Sequence, residues 1–202
     1  MLMPISDFDI IQKISNFIYI SSDAVYSDTK KKITEISETN PESLHGKMHL
    51  IRENILKNLF TNKLSIIRPT LIYGFNDRHN GYGPNRFARQ AIKNEDINIF
   101  GNGEEIRDHI SVSDVAQLIY LLIKKKQNGI FNAVSLYPIK FIDIAKLIIK
   151  NFNSGSKIKK LSRKGPIPHN GLRVFGMGNT FNIFKNFKPL SFNNGIINLI
   201  KK

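Results

Sequence analysis

The sequence predicts an α/β protein built around a parallel sheet, on two observations. Short apolar, β-rich runs alternate with segments whose apolar residues recur every three or four positions, the pattern of strands joined by crossover helices. The residues best suited to chemistry follow those runs directly, where parallel sheets bind ligands.

Phe17–Ile20 is apolar and β-rich and reads as a strand, which leaves Ser21 and Ser22 at its carboxyl end. Residues 3–14 before it are expected to form a helix. After a polar loop, Asn40, Pro41, Glu42 and Ser43 make a helix start. Leu44, Met48, Ile51, Ile55 and Leu59 then recur at helical spacing, a stripe expected in the core. His45, His49 and Arg52 share a neighbouring stripe, with the two histidines one turn apart. Residues 64–67 form a second strand, ended by Pro69, which has no ladder donor, and Gly74 permits a sharp exit. The loop 76–84 then opens a helix at Asn85, Arg86 and Phe87.

Ile97–Phe100 is the next strand. Val115, Leu118, Ile119, Leu122 and Ile123 fall at core-helix spacing behind a cap at Ser113 or Asp114. Residues 130–134 read as a further strand, and Phe141, Ile144, Ala145 and Ile148 as a helix face. The segment 151–164, rich in Asn, Ser, Gly and Lys, is the loosest and is expected to divide a first part, 1–150, from a smaller one, 151–202.

Composition narrows the function classes. The chain has 202 residues, 41% of them hydrophobic, enough to bury a core. It contains no cysteine, which removes disulfides and thiolate metal sites and fits a cytoplasmic location. No apolar span is long enough to cross a bilayer, and no basic stretch leads into a signal-like run. The net charge of +14 raises the possibility of nucleic-acid binding through Lys30 to Lys32, Lys124 to Lys126 and 157–164. Those clusters carry no interleaved aromatics and no recognition motif, so no nucleic-acid partner is expected. Two imidazoles at i and i+4 also fit metal ligation, but no third ligand accompanies them and no metal site is expected.

The pattern resembles the NAD-dependent epimerase/dehydratase family of extended short-chain dehydrogenase/reductases, which act on nucleotide sugars. Ser22 matches the family's catalytic Ser or Thr, Gly46 the Gly after its Tyr, and Glu53 its trailing Glu. His45 stands at the Tyr position and His49 at the Lys position. Arg68, Pro69, Tyr73 and Gly74 are similar to the family's turn beside the nicotinamide. Gly101, Gly103, Arg107, Asp108, Val112, Asp114, Val115 and Ala116 are similar to a second, more specific motif.

The resemblance implies an incomplete Rossmann-like parallel sheet with a small C-terminal substrate-binding part. It further implies hydride transfer on a nucleotide-sugar substrate with NAD or NADP. Ser22 would hydrogen-bond the reacting hydroxyl, His45 would exchange its proton, and His49 would orient the cofactor ribose; Pro69 and Thr70 would line the cofactor. Asn85, Arg107 and Arg173 would hold the substrate, the arginines at its pyrophosphate. An imidazole titrates near about 6.5 unaided, so it can serve as a base where a tyrosine needs a cationic helper. The other reading keeps both rings solvated in a catalytically inactive homologue or assembly partner. For Arg107 a salt bridge to Glu104 or Asp108 competes with phosphate, and for Arg173 plain solvation does.

No glycine precedes Gly46, so the glycine-rich turn that cradles a dinucleotide is not in this sequence. The chain is expected to start roughly a hundred residues into the family fold, leaving an open sheet edge. The expected partner is a chain supplying the missing half, or a second copy.

Overall fold

The computed structural model describes residues 12–75, 77 and 80–199. Most of the helix expected over 3–14, together with Asn76, Arg78 and His79 of the expected loop, lies outside the described residues.

The main sheet has strand β1 (Phe17–Ile20) at one side, β2 (Leu64–Pro69) in the middle and β7 (Gly129–Ala133) at the other, all parallel. Every residue of β2 is buried, as expected for a strand covered on both faces. Helix α1 (Leu44–Leu59) covers one face: Leu56 and Phe60 pack against Leu64 and Ile66, and the Phe60 ring stacks on Phe17 at 4.2 Å. Helix α3 (Val112–Lys125) covers the other face, with Val115, Leu118 and Leu122 against Ile67, Phe131 and Ala133. Ile123, expected in that stripe, is exposed.

The apolar stripe of α1 does not face the core. Leu44, Met48, Ile51, Ile55 and Leu59 are 40 to 73% exposed. The inward face carries Gly46, Glu53 and Leu56 instead. Two contacts turn the helix this way. Gly46 lies so close to the chain after β1 that a Cβ there would stand 2.1 Å from the Ala24 carbonyl oxygen. Glu53 meets Arg68 of β2 in a bidentate pair at 2.9 and 2.5 Å. Periodicity identified the helix, but a buried ion pair and a glycine contact chose its face.

The remaining strands form short ladders beside this sheet. β3 (Leu71–Tyr73) pairs with β6 (His109–Ser111), and β4 (Ile97–Phe100) with β9 (Ile158–Leu161), both parallel. β5 (Ile106–Arg107) lies between β10 (Leu172–Arg173) and β8 (Ile139–Lys140). Helices α2 (Pro84–Ile92) and α4 (Phe141–Asn151) close a second core of Phe87, Ile97, Ile99, Phe141, Ile144 and Ile148. The segment 151–164, expected to be loose, thus contains a strand, and β9 and β10 join residues beyond 150 to strands before it. Ser111, two residues ahead of the expected cap, caps α3 by accepting from the Asp114 amide at 3.1 Å. The Ser111 hydroxyl in turn donates to the Asp114 carboxylate at 2.7 Å, which holds the capping side chain in place.

Candidate active site

The carboxyl end of β1 and the amino end of α1 meet through Gly46 and Ala24. The two serines there divide their work. Ser21 is buried and donates to Glu53 at 2.6 Å, which locks strand to helix. Ser22 is half-buried and caps the turn Asp23–Val25 by accepting from the Ala24 amide at 3.1 Å. That turn is the one Gly46 packs on, so Ser22 and His45, which precedes Gly46, come to the same end of β1.

On α1, Ser43 caps the helix through the Gly46 amide at 3.1 Å. His45 is exposed and His49 half-buried, their rings 4.6 Å apart and nearly perpendicular. The Tyr19 hydroxyl lies 2.9 Å from Nδ1 of His49. Burial, with His45 and Arg52 nearby, holds His49 below the usual imidazole range, and burial pushes the Tyr19 phenol up.

Pro69 closes β2 and is buried. Thr70 donates its hydroxyl to the Asp108 carbonyl at 3.0 Å and its amide to Ala133 at 3.1 Å. Asn85 accepts from the Gly74 amide at 3.1 Å and donates to the Asp77 carboxylate, which ties α2 to the loop before it.

Arg107 donates to Glu105 at 3.0 Å, not to Glu104 or Asp108. Arg163, which no motif singled out, lies 3.5 Å from the other oxygen of the same carboxylate, its guanidinium 5.8 Å from the Phe100 ring centre. One carboxylate thus faces two permanent cations. Nε of Arg107 and Nε of Arg163 are buried without a partner among the described residues, and Nη2 of Arg163 has only the 3.5 Å ion pair with Glu105. Donors left unpaired on a site of net positive charge suit an anion. The sequence signal for Arg163 was masked by its place in a lysine-rich run.

Arg173, in register beside Arg107, is already engaged. It donates to Asp23 at 2.9 Å and Asp28 at 3.2 Å, and to the carbonyls of Asp23 and Tyr26. Its visible role is to tie β10 to the loop after β1. No group of three or more His, Asp or Glu side chains that could hold a metal occurs among the described residues, and no helix there is long and apolar enough to cross a membrane.

The model of the NAD dependent epimerase/dehydratase family matches residues 8–133. An uncharacterized UDP-glucose epimerase from Bacillus subtilis (strain 168) is 27% identical over 115 residues, covering 55% of this chain and 36% of the relative. A dTDP-D-glucose 4,6-dehydratase from Dictyostelium discoideum is 27% identical over 155 residues, covering 68% and 35%. Among solved structures, the UDP-glucuronic acid 4-epimerase from Bacillus cereus in complex with UDP-glucuronic acid and NAD superimposes with a TM-score of 0.80 at 19% identity, covering 95% of this chain and 62% of that one. The dTDP-glucose 4,6-dehydratase from Bacillus anthracis str. Ames in complex with NAD gives 0.78 at 16%, covering 94% and 62%. These structures establish the shared α/β fold. The chain spans 35 to 36% of the curated relatives' length and 62% of these two structures.

Proposed function

The chain belongs to the NAD dependent epimerase/dehydratase family, and on that premise we propose that it binds a nucleoside-diphosphate sugar and exchanges a proton at one of its hydroxyls during NAD-dependent hydride transfer. The observation that carries the reading is the Arg107, Glu105 and Arg163 cluster with its two unpartnered buried Nε–H donors. A diphosphate supplies acceptors for both, and its charge offsets the surplus guanidinium.

The described residues fit the nicotinamide-ribose end of the cofactor. His49 has one ring nitrogen on Tyr19 and the other free for a ribose hydroxyl, and Pro69 and Thr70 close the neighbouring strand end. When bound, NAD supplies the hydride acceptor and donor. Ser22 holds the reacting hydroxyl, and His45 takes and returns its proton.

Titration calorimetry with UDP-glucose and dTDP-glucose tests the binding half. Arg107→Lys and Arg163→Gln should each weaken the complex about 10- to 100-fold, the loss of one or two charge-assisted hydrogen bonds. Affinity that ignores both substitutions would remove the diphosphate from this cluster. A second reading, a pocket that binds without turnover, draws on the exposure of His45 and the Ser22 hydroxyl's engagement as a cap. His45→Phe separates the two: lost turnover with intact binding supports catalysis, and unchanged turnover removes His45 from it.

The partner we propose is a second copy seated on the exposed stripe of α1, where five large apolar side chains at helical spacing face solvent. Sedimentation should show a dimer that Ile51→Lys with Ile55→Lys converts to monomer. A wild-type monomer at micromolar concentration would leave the stripe to some other chain and sink this assignment.

A further inference from the structure

Tyr19 belongs to none of the motifs above, yet it is the residue in contact with the histidine at the lysine position. It lies on the face of β1 that α1 covers, packed with Phe17, Phe60 and Ile66. Its hydroxyl is 2.9 Å from Nδ1 of His49. Either atom could donate in principle. A phenol is a far stronger acid than a neutral imidazole N–H, and an imidazole nitrogen is a stronger base than a phenol oxygen, so the bond runs from Oη–H to Nδ1.

Burial of the pair supports that direction. His45 and Arg52 on α1 both disfavour a second proton on His49, while Glu53 favours it, and burial outweighs all three. On β1, burial, helped by Glu53, outweighs the hydrogen bond and charge of Arg52 and raises the Tyr19 phenol, which stays protonated and able to donate.

We propose that Tyr19 is a positioning residue that fixes His49 as a neutral imidazole with Nδ1 as acceptor, so that Nε2–H is the one donor the ring offers the site. The difference from a lysine is chemical. A lysine brings a permanent charge and three rotating donors, whereas His49 brings one directed donor and no charge. His45, perpendicular to that ring at 4.6 Å, therefore exchanges protons beside a neutral neighbour. The assignment rests on the proposed roles of His45 and His49 for its meaning, but not for its measurement.

Two-bond proton–nitrogen spectra of the 15N-labelled chain, without cofactor or substrate, give the tautomer directly, with His49 assigned through its loss in His49→Gln. Wild type should show Nε2 protonated and Nδ1 bare down to a pH below the free-imidazole midpoint. In Tyr19→Phe, which keeps the packed ring and with it the burial of His49, the two neutral tautomers should mix. A protonated Nδ1 in wild type, or a Phe variant with an unmoved tautomer, overturns the proposal. In turnover, Tyr19→Phe should lower kcat severalfold and leave KM for the nucleotide sugar unchanged. If the spectra agree while no nucleotide sugar binds, the functional reading fails and the tautomer assignment stands.

Discussion

Replacing Glu53 with glutamine should cost the fold about 3–5 kcal/mol, the penalty for breaking a buried ion pair by removing one partner. Glu53 is fully buried and receives Ser21 at 2.6 Å and Arg68 at 2.9 and 2.5 Å. Lys57 at 3.8 Å is a half-exposed partner and contributes little. Glutamine keeps the shape but removes the charge and turns a donor toward the guanidinium. Arg68, itself buried, then keeps its charge with no counter-charge.

The loss should spread toward the site. Arg68 stacks 4.7 Å over the Tyr26 ring, and Tyr26 donates to Asn132 at 2.7 Å, so the same network holds the loop that carries Ser22. For a chain of this size the midpoint of thermal unfolding should fall by about 6–20 °C. Removing both charges together, in Glu53→Met with Arg68→Met, should recover much of it, because two apolar groups leave no uncompensated charge. Denaturant titration of Glu53→Met, Arg68→Met and the double variant as a double-mutant cycle measures the coupling. A loss under about 1 kcal/mol for Glu53→Gln would show that water or another group already compensates Arg68.

Glu53 also shows where sequence reading succeeds and stops. β1 falls where its β-rich run placed it, Phe17–Ile20, and α1 starts at the serine that its capping chemistry required. The helix face of Phe141, Ile144, Ala145 and Ile148 is buried as its spacing required. These are local properties: propensity, cap and period. The orientation of α1 is not local. An apolar stripe and a stripe bearing His49 and Glu53 compete for the sheet, and the winner depends on Arg68 arriving opposite Glu53 from fifteen residues away. Arg173 and Arg163 make the same point in the site. Both are arginines near the C-terminal end of the chain, and only the fold shows Asp23 and Asp28 closing on one while Glu105 leaves a donor of the other unpaired. The strand within 151–164 was hidden for a related reason, since its residues Ile158–Leu161 include two lysines and acquire strand character from pairing with β4.

His109→Phe should change the pH dependence of stability more than its level. His109 is fully buried, with Nδ1 donating to the Arg107 carbonyl at 3.2 Å and Nε2 without a partner among the described residues. Burial, with Arg107 nearby, pushes its imidazole down from 6.5 to about 3. Below pH 6.5 the unfolded chain takes up a proton that the folded chain refuses until about 3, so His109 makes the fold lose stability as the pH falls through that window. Its neighbour Asp108 acts in the opposite sense. Burial, against hydrogen bonds from Ser135 and Leu136, raises that carboxyl from 3.8 to about 6, so the folded chain binds this proton first and gains stability as the pH falls from 6 to 3.8. In wild type the two slopes oppose each other across the overlap. Phenylalanine at 109 keeps the contacts with the Phe141 and Phe192 rings and removes the destabilising slope, together with the Nδ1 bond to the Arg107 carbonyl, whose loss lowers stability by a similar amount at every pH. Relative to wild type, the variant should therefore gain about 2–3 kcal/mol between pH 8 and pH 4.5, at about 1.4 kcal/mol per unit below 6.5. It should also become more stable in absolute terms from pH 6 to 4, where Asp108 acts unopposed. Urea midpoints at half-unit pH steps measure both effects, and parallel curves for the two proteins would mean that His109 takes up its proton as readily in the fold as in the unfolded chain.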